Sequence, residues 1–254
     1  MDSQNVTTLT MMPVTRIAVT SVSAACVALA SVACGSSDDQ LVIYAASSLA
    51  DAFDRIEAEY EAANEGVDVV LSYGGSSSLA AQLVDGAPAE VFATANTEQM
   101  ERVVRDRPVP EAPSVFALNS MVIAVESGNP LGIGDLAGLG DGPVVVLAAP
   151  EVPAGTYAQQ VLDCAGVDVV AASFEPSVRS VATKIALGEA DAGLVYRTDI
   201  DDRLDAVEIE SACNVTARYP IVALTSDPDA ERFVDFVLGA EGSAALIDAG
   251  FELP

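Results

Sequence analysis

The sequence predicts an α/β protein with mainly parallel sheets, and three observations carry that prediction. Short apolar runs rich in Val, Ile and Ala alternate with longer stretches whose apolar residues recur every three or four positions. The early switches fall on Gly and Ser turns, giving the order strand, turn, helix that builds parallel sheets with covered faces. Finally, 254 residues with 51% apolar and 19% charged side chains supply a large core and too few charges for a disordered chain.

The first unit opens at Gln40 with LVIYAA, a run typical of a strand buried on both faces. Ser47-Ser48 follow as a helix cap, and Leu49, Phe53, Ile56 and Tyr60 then mark one face of a helix. A second unit repeats the order: Val67, Val69, Leu71 and Tyr73 alternate, Gly74-Gly75 turn, and a helix carrying Leu79 and Leu83 runs from Ser76 to Gly86. Further strands are expected at residues 90–93, 121–125, 144–148, 192–196 and 221–224, with helices at 156–165, 178–187, 228–238 and 243–249. This body exceeds the commonest domain size and has no flexible linker, so it should form two lobes around a cleft. In open α/β sheets, ligands sit in the crevice outside the carboxyl ends of the strands.

Composition excludes much chemistry. With 11 Lys plus Arg against 38 Asp plus Glu the net charge is −27, and the single Lys is Lys184. Nucleic acid and anionic membrane surfaces need clustered cations, so neither is a partner. The chain has no His and no Trp, which removes Ser-His and Cys-His nucleophile pairs and His-ligated zinc. A binding protein remains, or an enzyme working only with carboxylates.

Residues 17–33, IAVTSVSAACVALASVA, carry no charge and follow Arg16. The run is too short and too rich in hydroxyls for a membrane span, so residues 1–33 read as a signal peptide. Cys34, between SVA and GSSDDQ, resembles the cleavage box of bacterial lipoproteins, where the Cys becomes the lipidated first mature residue. The alternative is ordinary cleavage and secretion; either places the mature chain outside the cytoplasm. In that oxidising setting Cys164 and Cys213 form a disulfide or stand as two buried thiols.

Three turns present hydroxyls or free backbone donors at helix starts: Ser47-Ser48, Gly74 to Ser78, and Pro153-Ala154-Gly155-Thr156. A helix start leaves N–H groups without intrahelical partners and carries about half a positive charge, so such ends bind anions. Each also has a plainer reading: a Ser before a helix is ordinarily a cap, and GGSSS alone is ordinarily a loop. From the residues alone, Val178 and Tyr196 are core positions.

The order of the motifs says more. AASSLADAF, SYGGSSSLAAQLVDGAPAEVFATAN, NSMVIAV followed by GNP, APEVPAGTYAQQVL and EADAGLVYRTD together resemble the molybdate-binding proteins of ABC importers. The resemblance spans essentially the whole mature chain and implies a two-lobed fold of the periplasmic-binding-protein (Venus-flytrap) type. Its lobes would comprise residues 40–118 with 219–254, and 119–218, joined by crossover strands near 116–120 and 217–221. It implies a monomer that holds molybdate, and comparably tungstate, in the interlobe cleft and hands it to the membrane subunits of an ABC permease. No cofactor and no metal cation are implied, and the membrane is touched only through the lipid on Cys34. The ligand contacts carried over are Ser48 and Ser76 as hydroxyl and amide donors, Ala154 and Val178 as backbone N–H donors, and Tyr196 as a phenolic donor. Ser47 and Ser77 stand beside them as additional candidates, since this chain has Ser47 where the family more often has Ala, and three Ser in the second turn.

Molybdate is a fully deprotonated dianion at neutral pH, accepting hydrogen bonds and offering none, so a site lined only by donors suits it. Arg179, beside Val178, is expected to point away. Two other readings remain: a binding protein for sulfate or phosphate, and a secreted carboxylate-dependent hydrolase using acids among Asp51, Asp54, Asp85 and Glu90.

Overall fold

The structure, a computed structural model, describes residues 40–254 apart from Asp141. The expected signal peptide and Cys34 lie outside the described residues. The strands are β1 (Gln40–Ala46), β2 (Asp68–Gly74), β3 (Val91–Ala93), β4 (Ser114–Glu126), β5 (Val145–Ala148), β6 (Ser173–Glu175), β7 (Ala192–Tyr196), β8 (Leu204–Glu208) and β9 (Thr216–Ala223). The helices are α1 (Ala50–Ala63), α2 (Ser76–Val84), α3 (Thr97–Asp106), α4 (Pro153–Ala165), α5 (Val178–Ala186), α6 (Pro228–Leu238) and α7 (Ala240–Asp248). The strands form a mixed sheet in the order β2-β1-β3-β9-β4-β7-β5-β6, with β8 paired to β4.

The sheet has two parallel wings, β2-β1-β3 and β7-β5-β6, joined through β9 and β4. The expected crossover segments fall inside these two joining strands. β4 pairs with β9 through Ser114–Ser120 and then, from Met121 onward, with β7 and β8. Here the expectation of mainly parallel sheets needs correction: β3-β9, β4-β7, β4-β8 and β4-β9 are all antiparallel. A strand that carries the chain from one wing to the other, and one that brings it back, must run against each other and against their neighbours. Periodicity reports burial and says nothing of direction.

Each wing buries its sheet beneath helices. Phe53 of α1 packs its ring 5.9 Å from Phe116 of β4 and 6.2 Å from Phe233 of α6, so the first helix and the returning C-terminal helices share one core. Leu79 and Leu83 of α2 with Met100 and Val103 of α3 cover the opposite face around Phe92. In the second wing Val181 and Ile185 of α5 and Val161 of α4 are fully buried among Leu194, Val195 and Val145.

Cys164 at the end of α4 is bonded to Cys213, 49 residues on, with Cα atoms 5.4 Å apart. The disulfide reading holds, and the thiol alternative fails on both counts, because Cys164 is exposed and Cys213 half-buried. Among the described residues no helix is long and apolar enough to cross a membrane.

Candidate ligand-binding site

The parallel strands of both wings direct their carboxyl ends to one place. β1 ends at Ala46 and runs into a single 3-10 turn, Ser47–Leu49; β2 ends at Gly74 before α2; and Ala95 follows β3. From the other wing come Val152 to Ala154 after β5, Val178 after β6, and Tyr196 at the end of β7. Together they line one small, partly open cavity.

Five positions expected from the sequence, Ser48, Ser76, Ala154, Val178 and Tyr196, all line this cavity, as does Ser47. Ser77 does not: it is buried at the start of α2 but outside the lining. The first turns of three helices supply the backbone donors. Ser76 is the first residue of α2 after Gly75, and Val178 the first of α5 after Ser177. In α4, Pro153 takes the first position and has no N–H, so Ala154 carries the first donor of that helix. None of these N–H groups has an intrahelical acceptor at such positions. Gly155 is needed behind them, since a Cβ there would stand 2.1 Å from the Ala149 carbonyl oxygen.

The serines are not caps. No side chain caps the turn at Ser47, and none caps α1, α2 or α4. Ser48 Oγ lies 2.9 Å from Tyr219 Oη, and Ser76 Oγ accepts from the Ala95 N–H at 3.1 Å. With a lone pair engaged by that N–H, the Ser76 proton is free to point into the cavity. The same holds for Ser48 when Tyr219 donates to it. Tyr196 is 1% exposed and its Oη has no hydrogen-bond partner. Burial, reinforced by the neighbouring phenols Tyr219 and Tyr157, holds the Tyr196 hydroxyl well above the ordinary phenol range. It therefore stays protonated and can only donate to an anion.

No cationic side chain lines the cavity among the described residues. Arg179 is not part of the lining; its Nη2 is buried, without a hydrogen bond, 3.3 Å from Asp51 Oδ2 at the start of α1. Lys184 is 2.6 Å from Glu175 Oε1. Burial pushes the Glu175 carboxyl up, but the Lys184 ammonium and the Ser173 hydroxyl more than offset it and hold the group below the usual carboxylate range.

Tyr219 and the Ala95 N–H were not singled out from the sequence. Asp199, in the turn just after Tyr196, is buried with both carboxylate oxygens unpartnered. Burial pushes its pKa up to about 7 against the attraction of Arg179. The carboxylate-dependent hydrolase finds no support here. Asp51, Asp54, Asp85 and Glu90 all stand outside the cavity, with Asp54 accepting from Tyr73 and Glu90 from the Val42 N–H.

A small cavity ringed by neutral N–H and O–H donors from two wings has the chemistry to receive an anion. In agreement, residues 41–252 match the bacterial extracellular solute-binding protein family, and the chain belongs to it. It is a solute-binding protein, not an enzyme. Its relatives include the molybdate-binding protein ModA of Mycobacterium tuberculosis, 39% identical over 221 residues that cover 84% of this chain and 85% of that protein. Two solved structures share the fold. The periplasmic molybdate-binding protein of Azotobacter vinelandii superposes with a TM-score of 0.71 at 23% identity, covering 84% of this chain and 99% of that one. The sulfate-binding protein SubI of M. tuberculosis superposes with a TM-score of 0.76 at 16% identity, covering 84% and 86%.

Proposed function

We propose that this protein is the extracytoplasmic molybdate-capturing component of an ABC importer, binding tungstate comparably, and that its two sheet wings act as lobes closing on the ion. The observation that carries this reading is the buried, unpartnered Tyr196 hydroxyl facing the donors of Ser48, Ser76, Ala154 and Val178. A buried donor without an acceptor costs roughly 1–3 kcal/mol, and a tetrahedral dianion supplies the missing acceptor. Hydrogen bonds to a charged group contribute roughly 1.5–3 kcal/mol each. About six such donors, less the cost of desolvating the ion, are compatible with micromolar to nanomolar affinity.

Donors from both wings are satisfied together only when the wings meet, so ligand favours the closed arrangement, which the permease then reads. The M. tuberculosis relative and the family's extracellular character support this reading, and the sequence around Cys34 supports a lipid anchor on the outer face of the membrane. The test is titration calorimetry with a thermal-shift panel of molybdate, tungstate, sulfate, phosphate and nitrate. At about 100 times the dissociation constant, the true ligand adds about 2.7 kcal/mol of stability, which raises the melting point of a chain this size by about 5–11 °C. A shift with sulfate or phosphate and none with molybdate would replace this assignment by the second oxyanion reading. Loss of membrane association in Cys34→Ser is the expected outcome for the anchor.

A further inference from the structure

We infer that Gly75 sets how closely the two wings can approach, because its missing side chain admits the Pro176 carbonyl from the opposite wing. The inference rests on the reading of the wings as closing lobes. Gly75 precedes α2 with φ −63° and ψ 130°, a conformation open to any residue, so the backbone does not require glycine there. Space does. A Cβ on Gly75 would stand 2.2 Å from the Pro176 carbonyl oxygen, with Val152 Cγ2 at 3.7 Å, and both neighbours belong to the other wing. At the adjacent Gly74, the last residue of β2, the atoms nearest a Cβ belong to the flexible Leu79 side chain of the same wing, at 3.2 Å.

The Pro176 carbonyl has little freedom to retreat. It belongs to the peptide leading into Ser177, whose hydroxyl accepts from the Ser180 N–H to cap α5. Moving it moves the start of the helix that carries the Val178 N–H. A methyl group at position 75 therefore parts the wings by about 1 Å or more to restore an ordinary van der Waals contact. Hydrogen bonds of about 2.9 Å do not survive such a displacement. The ion keeps Ser48 and Ser76 on one wing and loses Ala154, Val178 and Tyr196 on the other, or the reverse. The Asp51–Arg179 ion pair lies at the same junction, one partner on each wing, and marks the approach from outside the cavity.

Two measurements test this. In calorimetry and stopped-flow with molybdate, Gly75→Ala is expected to weaken binding about tenfold or more, mainly through faster release, and Gly75→Val further still. The ligand-free melting point should fall by only a few degrees in Gly75→Ala, since alanine fits the observed dihedrals and the clash is relieved by parting the wings and not by unfolding either one. Separately, and without ligand, a short bifunctional thiol reagent applied to the Asp51→Cys/Arg179→Cys protein reports the closed approach. Adding Gly75→Val should slow that cross-linking about tenfold or more. Unchanged release in Gly75→Ala, or unchanged cross-linking with Gly75→Val, overturns the inference. If the parent protein binds no molybdate but Gly75→Val still slows cross-linking, the ligand assignment falls and the role of Gly75 stands.

Discussion

Replacing Tyr196 by Phe separates the ligand's contribution from the fold's, because the two respond in opposite directions. The ring is 1% exposed and packs edge-on against Tyr219 at 5.7 Å and Tyr157 at 6.4 Å, contacts that Phe preserves. Only the hydroxyl is lost, and no protein group among the described residues bonds to it. Its removal should leave the ligand-free melting point unchanged or raise it, by up to the roughly 1–3 kcal/mol that a buried unpaired polar group costs. With the dianion bound, the same hydroxyl donates a charge-assisted hydrogen bond. Losing it should weaken binding by roughly 1.5–3 kcal/mol, about tenfold to a hundredfold in dissociation constant. Calorimetric unfolding without ligand and titration calorimetry with molybdate measure both quantities on one preparation. A variant that melts several degrees lower and binds as tightly as the parent would refute the reasoning, since the hydroxyl would then serve the fold and not the ion.

Ser76→Ala should lower both affinity and stability, because it removes a ligand donor and also strands the buried Ala95 N–H; at roughly 1–3 kcal/mol the ligand-free melting point should drop by about 2–12 °C in differential scanning calorimetry. The double change Cys164→Ser/Cys213→Ser opens a loop closed over 49 residues and should cost about 4 kcal/mol on the chain-entropy view, seen as a melting point lower by about 8–16 °C and reproduced in the parent protein by reductant. Asp199 has a folded pKa of about 7 above its usual 3.8, so the stability it contributes as a neutral acid is complete below pH 4 and is lost as pH rises toward and through 7. Asp199→Asn, neutral throughout, should match the parent near pH 4 and melt higher at pH 8, with the gap opening between those values; a constant gap would reject a buried protonated carboxyl.

Much of the candidate site was legible because its architecture is written in turns. Gly74-Gly75-Ser76 and Pro153-Ala154-Gly155 announce strand ends and helix starts through residues whose backbone chemistry is distinctive, and the apolar runs around them locate the buried strands. Less legible were features that depend on what lies opposite. Ser47 and Ser48 read as caps because nothing in the sequence tells that Tyr219, 171 residues from Ser48, takes up its hydroxyl. The edge strand β6 escaped because Phe174 faces solvent at 57% exposure, and β8 because Asp205 and Ala206 are exposed, so neither shows a buried run. The helix α3, TEQMERVVRD, buries little beyond Gln99, Met100 and Val103, too narrow an apolar stripe to stand out. Asp199 carries no local mark of its burial.

A protein of net charge −27 is an unlikely trap for a dianion only if net charge is what the ion feels. At physiological ionic strength charges beyond about 8 Å are largely screened at the exposed surface, so most of the acidic side chains act on the approach and not on the bound state. Inside the cavity the effective dielectric is lower and short-range dipoles prevail. The nearby cations are held by acids outside it, Arg179 by Asp51 and Lys184 by Glu175. That arrangement leaves the donors rigid. Backbone N–H groups at helix starts cannot rotate toward a smaller or protonated anion as a long cationic side chain can, and a protonated oxyanion would meet donors where it needs an acceptor. Under the proposed function, selectivity would come from geometry and protonation state together, and affinity from the number of donors that reach the ion when the wings close.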